Sequence, residues 1–228
     1  MSRLRDLPPS RLDDLPAACR RCMFWETGGG RRGPVSDAEA PQVTAAKQAW
    51  WQATQLEWGT PGKAVYDDDT LVGYALFAPP GHVPRTRRLP GPVSDDALLL
   101  AVLWVAEGWR GTGVAKTLLQ AVLREAHRRR ARAVEAYGAR GLAAGAGATC
   151  VIPEAFLLAH GFTVTAEDAS FPLLRLDLRQ TVRWQESVGH ALESVLSVLG
   201  RRERVPARPA LEAGSLDGRG VRRLRPRC

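Results

Sequence analysis

The chain has 228 residues, 45% of them hydrophobic, enough for one core of ordinary domain size plus an extension. No apolar stretch approaches the roughly 18 residues a membrane-spanning helix needs, and residues 1–16 are charged and proline-rich, unlike a signal peptide. The formal net charge of +8 is uneven: residues 201–228 hold nine Arg against Glu203, Glu212 and Asp217, a net of +6, leaving +2 for the first 200 residues. These features lead us to expect a cytoplasmic protein with no membrane partner, and a nearly neutral domain with a disordered basic tail. The tail could touch nucleic acid, but no aromatic residue interleaves its arginines, so a solvated extension is the favoured reading.

Along the chain, residues 2–7 suggest a first edge strand and 11–15 a short helical turn. Cys19 and Cys22 form a C-x-x-C pair. No second pair completes a zinc ribbon, because Cys150 and Cys228 are isolated. Cys19, Cys22, Cys150 and a histidine such as His160 could form a mixed metal site, or the thiols could be buried beside Phe24 and Trp25. The second is preferred, so no metal is assigned. Residues 26–41, rich in Gly, Pro and charge, predict a flexible loop. Residues 42–58 predict a helix turning Val43, Ala46, Trp50, Ala53 and Leu56 inward. A hairpin follows, with strands at 63–66 and 70–77 around Asp67, Asp68 and Asp69. Residues 79–96 hold five prolines and form a long loop, of the kind that is usually functional or disordered.

The most informative stretch comes next. The apolar run 98–105 predicts a buried strand. It leads into Gly108-Trp109-Arg110-Gly111-Thr112-Gly113-Val114-Ala115, and a helix opens from that turn with Val114, Leu118, Leu119, Val122, Leu123 and Ala126 on one face. A glycine-rich turn between a strand and a helix is an anion site, because the first helical N–H groups have no intrahelical partner and the dipole end is positive. The spacing fits neither a dinucleotide fingerprint nor a P-loop, since Lys116 stands where a third small residue belongs. A strand at 133–137 and strands at 162–166 and 171–178 follow. Residues 182–200 predict an amphipathic helix with Val188, Leu192, Val195, Leu196 and Leu199 on one stripe. That helix would pack on the parent domain by default, or form a homodimer seam.

Arg110-x-x-Gly113-x-Ala115 resembles the R/Q-x-x-G-x-G/A signature of the GNAT superfamily of acyl-CoA N-acyltransferases. Pro153 through Phe162 resembles that family's last helix and its Gly-Phe ending. Cys19-Arg20-Arg21-Cys22-Met23-Phe24-Trp25-Glu26 resembles the opening of a narrower actinobacterial subgroup, as does the use of Arg over Lys. The resemblance implies an α/β fold with a mixed, mostly antiparallel central sheet flanked by helices. The GNAT-like domain would span 1–180, followed by the extra helix 181–200 and the tail 201–228.

The resemblance also implies an N-acetyltransferase that takes acetyl-CoA as co-substrate and a small-molecule or protein amine as acceptor. Loop amides of Arg110, Gly111, Thr112, Gly113, Val114 and Ala115 would hold the pyrophosphate. The preceding strand would pair with the pantetheine arm, and a strand N–H near Trp104 or Val105 would meet the developing oxyanion. The family's Tyr, four residues before Gly161, is replaced by Leu157. Glu135 and Tyr137 share one face of their strand and are the candidates for base and acid. The alternative for Glu135 is an ion pair with an Arg among residues 128–132, and Glu107 is a second candidate base. Phe24, Trp25, Trp50, Trp51, Trp58 and the loop 79–96 would wall the acceptor site. The missing Tyr motivates an alternative function, a catalytically silent acyl-CoA sensor or interaction protein.

Overall fold

Among the described residues eight strands form one sheet, and the order of those strands decides where a site can open. The computed structural model describes residues 2–28, 36–141 and 150–178; the predicted helix 181–200 and tail 201–228 lie outside them. In chain order, β1 (Ser2–Asp6) is followed by a 3-10 turn (Pro9–Asp14), α1 (Ala17–Arg20) and α2 (Ala40–Glu57). Then come β2 (Gly62–Asp67), β3 (Thr70–Ala78) and β4 (Ala97–Val105), joined in antiparallel fashion, with β1 on the outer edge of β2. Two 3-10 turns, Pro80–His82 and Pro84–Arg88, give structure to the proline-rich loop between β3 and β4.

The crossover from β4 runs through α3 (Val114–Arg128) to β5 (Ala133–Ala139), which lies parallel to β4 as such a connection requires. The short β6 (Ile152–Pro153) pairs with β5 and leads into α4 (Glu154–Ala159). Then β7 (Thr163–Ala166) and β8 (Leu173–Asp177) complete the order β1-β2-β3-β4-β5-β8-β7. The mixed, mostly antiparallel sheet flanked by helices is the architecture expected from the sequence. Among the described residues, no helix is long and apolar enough to cross a membrane.

The sheet separates two cores. On one face α3 and α4 bury Leu118, Leu119, Val122, Ala126 and Leu157 against Phe77, Leu100, Val134 and Ala136. All six residues expected on the inner face of α3 are buried there. On the other face the N-terminal segment, α2 and the loop after β3 cover Tyr74, Leu99, Ala101 and Tyr137 with Trp25, Trp51 and Val83.

The inward face of α2 differs from expectation. Its buried residues are Lys47, Trp51 and Thr54, whereas Leu56 is 87% exposed. An apolar stripe could not predict this phase, because tertiary partners satisfy polar groups on the buried side. The Lys47 ammonium pairs with buried Glu26, and the Trp51 indole N–H donates to the Leu7 carbonyl at 3.1 Å.

Candidate active site

The run from β4 into α3 builds the centre of the site. β4 and β5 pair only from Ala97–Ala133 to Leu99–Glu135, although β4 continues to Val105 and β5 to Ala139. Beyond Leu99 the two strands diverge, and β5 takes β6 as its neighbour at Gly138 and Ala139. Among the described residues, the edge of β4 that faces β5 is therefore unpaired over its second half.

A β-bulge sits where the divergence begins. Leu100 pairs with Phe77 and Val102 with Leu76, so Ala101 is an extra residue on β4. It shifts the side-chain alternation by one, so that Leu99, Ala101, Val102 and Trp104 all pack toward the α2 face. Farther along, the Ala106 N–H donates to the Val72 carbonyl at 2.9 Å, on the β3 side. Backbone groups alternate along a strand, so the Trp104 N–H also points to β3, whereas the Val105 N–H points to the open edge. Of these two backbone N–H groups, that of Val105 is the one that faces the open edge.

The turn that follows is exposed from Arg110 to Gly113. Gly111 and Gly113 adopt φ of +76° and +92°, a left-handed region that disfavours other residues. A Cβ on either would meet nothing within 4 Å, so backbone conformation demands these glycines and the space above them is open. Gly113 caps α3 with no side-chain hydrogen bond. The amides of the first turn are left for a ligand or water, with the exposed Arg110 and Lys116 nearby. Val114 turns inward and anchors the turn. It packs where β3 carries Gly73, at which a Cβ would stand 2.7 Å from the Val114 side chain.

Glu135 and Tyr137 do lie on one face of β5, but both side chains are already committed. The Glu135 carboxylate, 1% exposed, accepts hydrogen bonds from the Ser94 N–H (2.9 Å) and hydroxyl (2.7 Å) and from the Arg175 guanidinium (2.8 Å). Its cationic partner therefore comes from β8 rather than from residues 128–132. The Tyr137 hydroxyl donates to the Gly91 carbonyl at 2.6 Å, and its ring stacks on Trp25. Burial, reinforced by the Glu135 charge, pushes the Tyr137 phenol well above its ordinary value. Together the two side chains pin the proline-rich loop to the sheet. Glu107 is exposed on the turn before α3. Leu157, at the family's Tyr position, is fully buried in the α3 core.

The predicted acceptor wall is only partly assembled. Phe24, Trp25 and Trp51 line a small cavity of about 10 Å³, room for one water, together with Cys19, Cys22, Glu26, Lys47, Tyr74, Val102 and Cys150. The Trp50 indole N–H instead donates to the His82 carbonyl at 2.8 Å, and Trp58 packs on the α3 side under the Arg129 guanidinium. Sequence reasoning missed the buried Glu26–Lys47 pair. The available signal was a lysine on a helix face otherwise turned to the core. Three of the four residues weighed as a mixed metal site do gather at this cavity. His160 instead follows the end of α4, stacked on Phe156. Among the described residues no group of three or more His, Cys, Asp or Glu is arranged to hold a metal.

A model of the acetyltransferase (GNAT) family matches residues 24–144. The chain belongs to the GNAT acetyltransferase family. In this GNAT protein the matched span covers α2, the divergence of β4 from β5, the glycine turn and α3. Among solved structures it is similar to the paia N-acetyltransferase of Thermoplasma acidophilum in complex with coenzyme A, at 15% identity and TM-score 0.51, over 78% of this chain and 99% of that one. It is also similar to Ard1 from Thermoplasma volcanium (15% identity, 77% and 97% coverage, TM-score 0.49). A third is the ribosomal-protein-alanine N-acetyltransferase of Brucella melitensis (18%, 77% and 99%, TM-score 0.49). A comparison with curated proteins gives no match.

Proposed function

We propose that this GNAT protein moves an acetyl group from acetyl-CoA to an amine by direct attack within a ternary complex. The observation that carries this reading is the divergence of β4 from β5 leading straight into the uncapped start of α3. The residues present fit coenzyme A. Open space over Gly111 and Gly113, unpartnered first-turn amides and the Arg110 and Lys116 charges suit a pyrophosphate. The unpaired edge of β4 offers backbone groups to an extended, amide-containing arm. Acetyl-CoA supplies an activated thioester carbonyl.

In this reading the amides of Gly111, Gly113, Val114 and Ala115 fix one end of the co-substrate, whereas those expected from Arg110 and Thr112 already donate to the Glu107 and Trp109 carbonyls at 3.2 and 3.4 Å, and the Val105 N–H, aimed into the cleft, donates to the carbonyl oxygen as charge develops there. Glu135 and Tyr137 hold the loop 79–96 over the acceptor side, which their hydrogen bonds to Ser94 and Gly91 support better than proton transfer. The acceptor approaches from the face that carries α2 and the aromatic wall. We further assign the chain to the actinobacterial subgroup with the segment at residues 19–26, and to the cytoplasm, on the sequence features given above.

Calorimetric titration with acetyl-CoA, beside Arg110→Ala and Gly113→Glu, tests the reading. Micromolar binding lost in Gly113→Glu and weakened in Arg110→Ala is expected, with the thermal midpoint of Arg110→Ala unchanged. Equal affinity in all three would overturn it. A second reading, a silent acyl-CoA sensor, is favoured by the buried Leu157 and the committed Glu135 and Tyr137. Binding without transfer to a broad amine panel would select it.

A further inference from the structure

We propose that Cys22 and Cys150 form a dithiol that hydrogen peroxide oxidises to a disulfide, a redox site on the wall of the α2-face cavity. The two residues are 128 positions apart in the chain, yet their sulfurs lie 3.3 Å from each other, and both are thiols. A disulfide needs about 2.05 Å, so the gap to close is on the order of 1 Å. The backbone around each is already held. The Cys22 N–H donates to the Cys19 carbonyl at 3.3 Å, and the Cys150 carbonyl accepts from the Trp25 indole at 2.9 Å. The segment that carries Cys22 is thereby tied to the one that carries Cys150.

The pair is electronically unequal. A hydrogen bond from Cys150, opposed by burial and aided by the Phe24 N–H, pushes the Cys22 thiol down to about 7. Glu26 works against this shift and Lys47 for it. The same contact, with burial, pushes Cys150 far up. Cys22 is therefore the attacking sulfur and Cys150 the resolving one.

The cavity selects the oxidant. Cys22 is 4% exposed, and the space beside it, about 10 Å³, admits a molecule close to water in size. Hydrogen peroxide, with two heavy atoms, comes close to that size, and a bulky thiol disulfide far exceeds it. The Cys22 thiolate attacks one peroxide oxygen. An S–O bond forms as the O–O bond breaks, and the departing hydroxide takes up a proton as water. The Cys150 thiol then attacks the Cys22 sulfur, breaking the S–O bond, and its proton leaves with the oxygen as a second water. Two thiols are oxidised by two electrons, and one peroxide is reduced to two waters.

The test uses the full chain, treated with hydrogen peroxide or with dithiothreitol, and non-reducing peptide mapping by mass spectrometry. A Cys22–Cys150 linked peptide two hydrogens lighter, reversed by dithiothreitol, is expected. The closed loop is long, so the thermal midpoint should rise by roughly 10 °C on oxidation. In Cys150→Ser, peroxide should leave a sulfenic acid on Cys22 that dimedone traps once the chain is unfolded in its presence, and Cys19→Ser should leave the linked peptide intact. Thiols that survive peroxide, a Cys19–Cys22 bond in its place, or tightly held zinc protecting all three sulfurs would each overturn the proposal. None of these readouts depends on acetyl transfer, so failure here is separate from failure of the proposed function.

Discussion

Glu135 on β5 and Arg175 on β8 face each other across paired strands, and their ion pair at 2.8 Å carries the most deeply buried carboxylate on the α2 face. Arg175 also reaches Asp96 and Asp177, and Ser94 donates twice to Glu135. The network joins the end of the proline-rich loop to two strands.

Removing the carboxylate should therefore act on stability before chemistry. Glu135→Ala is expected to lose about 3 kcal/mol in urea unfolding, because it strands part of a buried charge network. Glu135→Gln, which keeps the shape, should lose less and hold kcat within about tenfold of the parent. If Glu135 were the general base, the Gln variant would instead fold normally and lose about 10²-fold or more in kcat.

Gly73 sets how closely α3 approaches the sheet. A Cβ there would lie 2.7 Å from Val114 and 3.0 Å from the Trp104 carbonyl, one partner on the anion turn and one on the strand before it. Gly73→Ala should cost about 1–3 kcal/mol in thermal unfolding and weaken acetyl-CoA binding, since it lifts the helix start from β4. Unchanged stability with unchanged affinity would mean that the turn is not positioned through this contact.

The buried pair of Lys47 and Glu26 makes a prediction about context. Lys47→Met alone leaves the Glu26 carboxylate buried without its cation and should cost about 3–5 kcal/mol. The double variant Lys47→Met with Glu26→Leu should recover most of that loss, which a double-mutant cycle of denaturation energies would read as strong coupling.

The reactivity of Cys22 should titrate early. Its thiolate is the nucleophile, so its reaction with hydrogen peroxide should rise about tenfold per pH unit below about 7 and level off above it. The groups facing it are Cys150, Cys19, Glu26, Lys47 and Tyr74. Cys150→Ala removes the hydrogen bond that does most to lower the thiol, so its midpoint should move up toward that of an ordinary cysteine. A wild-type midpoint already near that of a free thiol would contradict the contact.

Local rules made much of this protein legible. Alternation and turn residues located the β2–β3 hairpin, the period of α3 named six of its nine buried residues, and two glycines between a strand and a helix marked the turn that opens α3. These features depend on backbone geometry and on spacing within one element, which neighbouring residues specify. The tertiary structure decided what spacing cannot encode. The inward face of α2 follows Lys47 because Glu26, 21 residues away, neutralises it. Ala101 bulges because β3 and β4 must pair on both sides of the point where β4 leaves β5. Cys22 meets Cys150 only after the sheet has brought the N-terminal segment against the residues that lead into β6. In each case a residue's surroundings come from a distant part of the chain, and burial there changes the energy of a charge, a backbone bond or a thiol more than any local preference does.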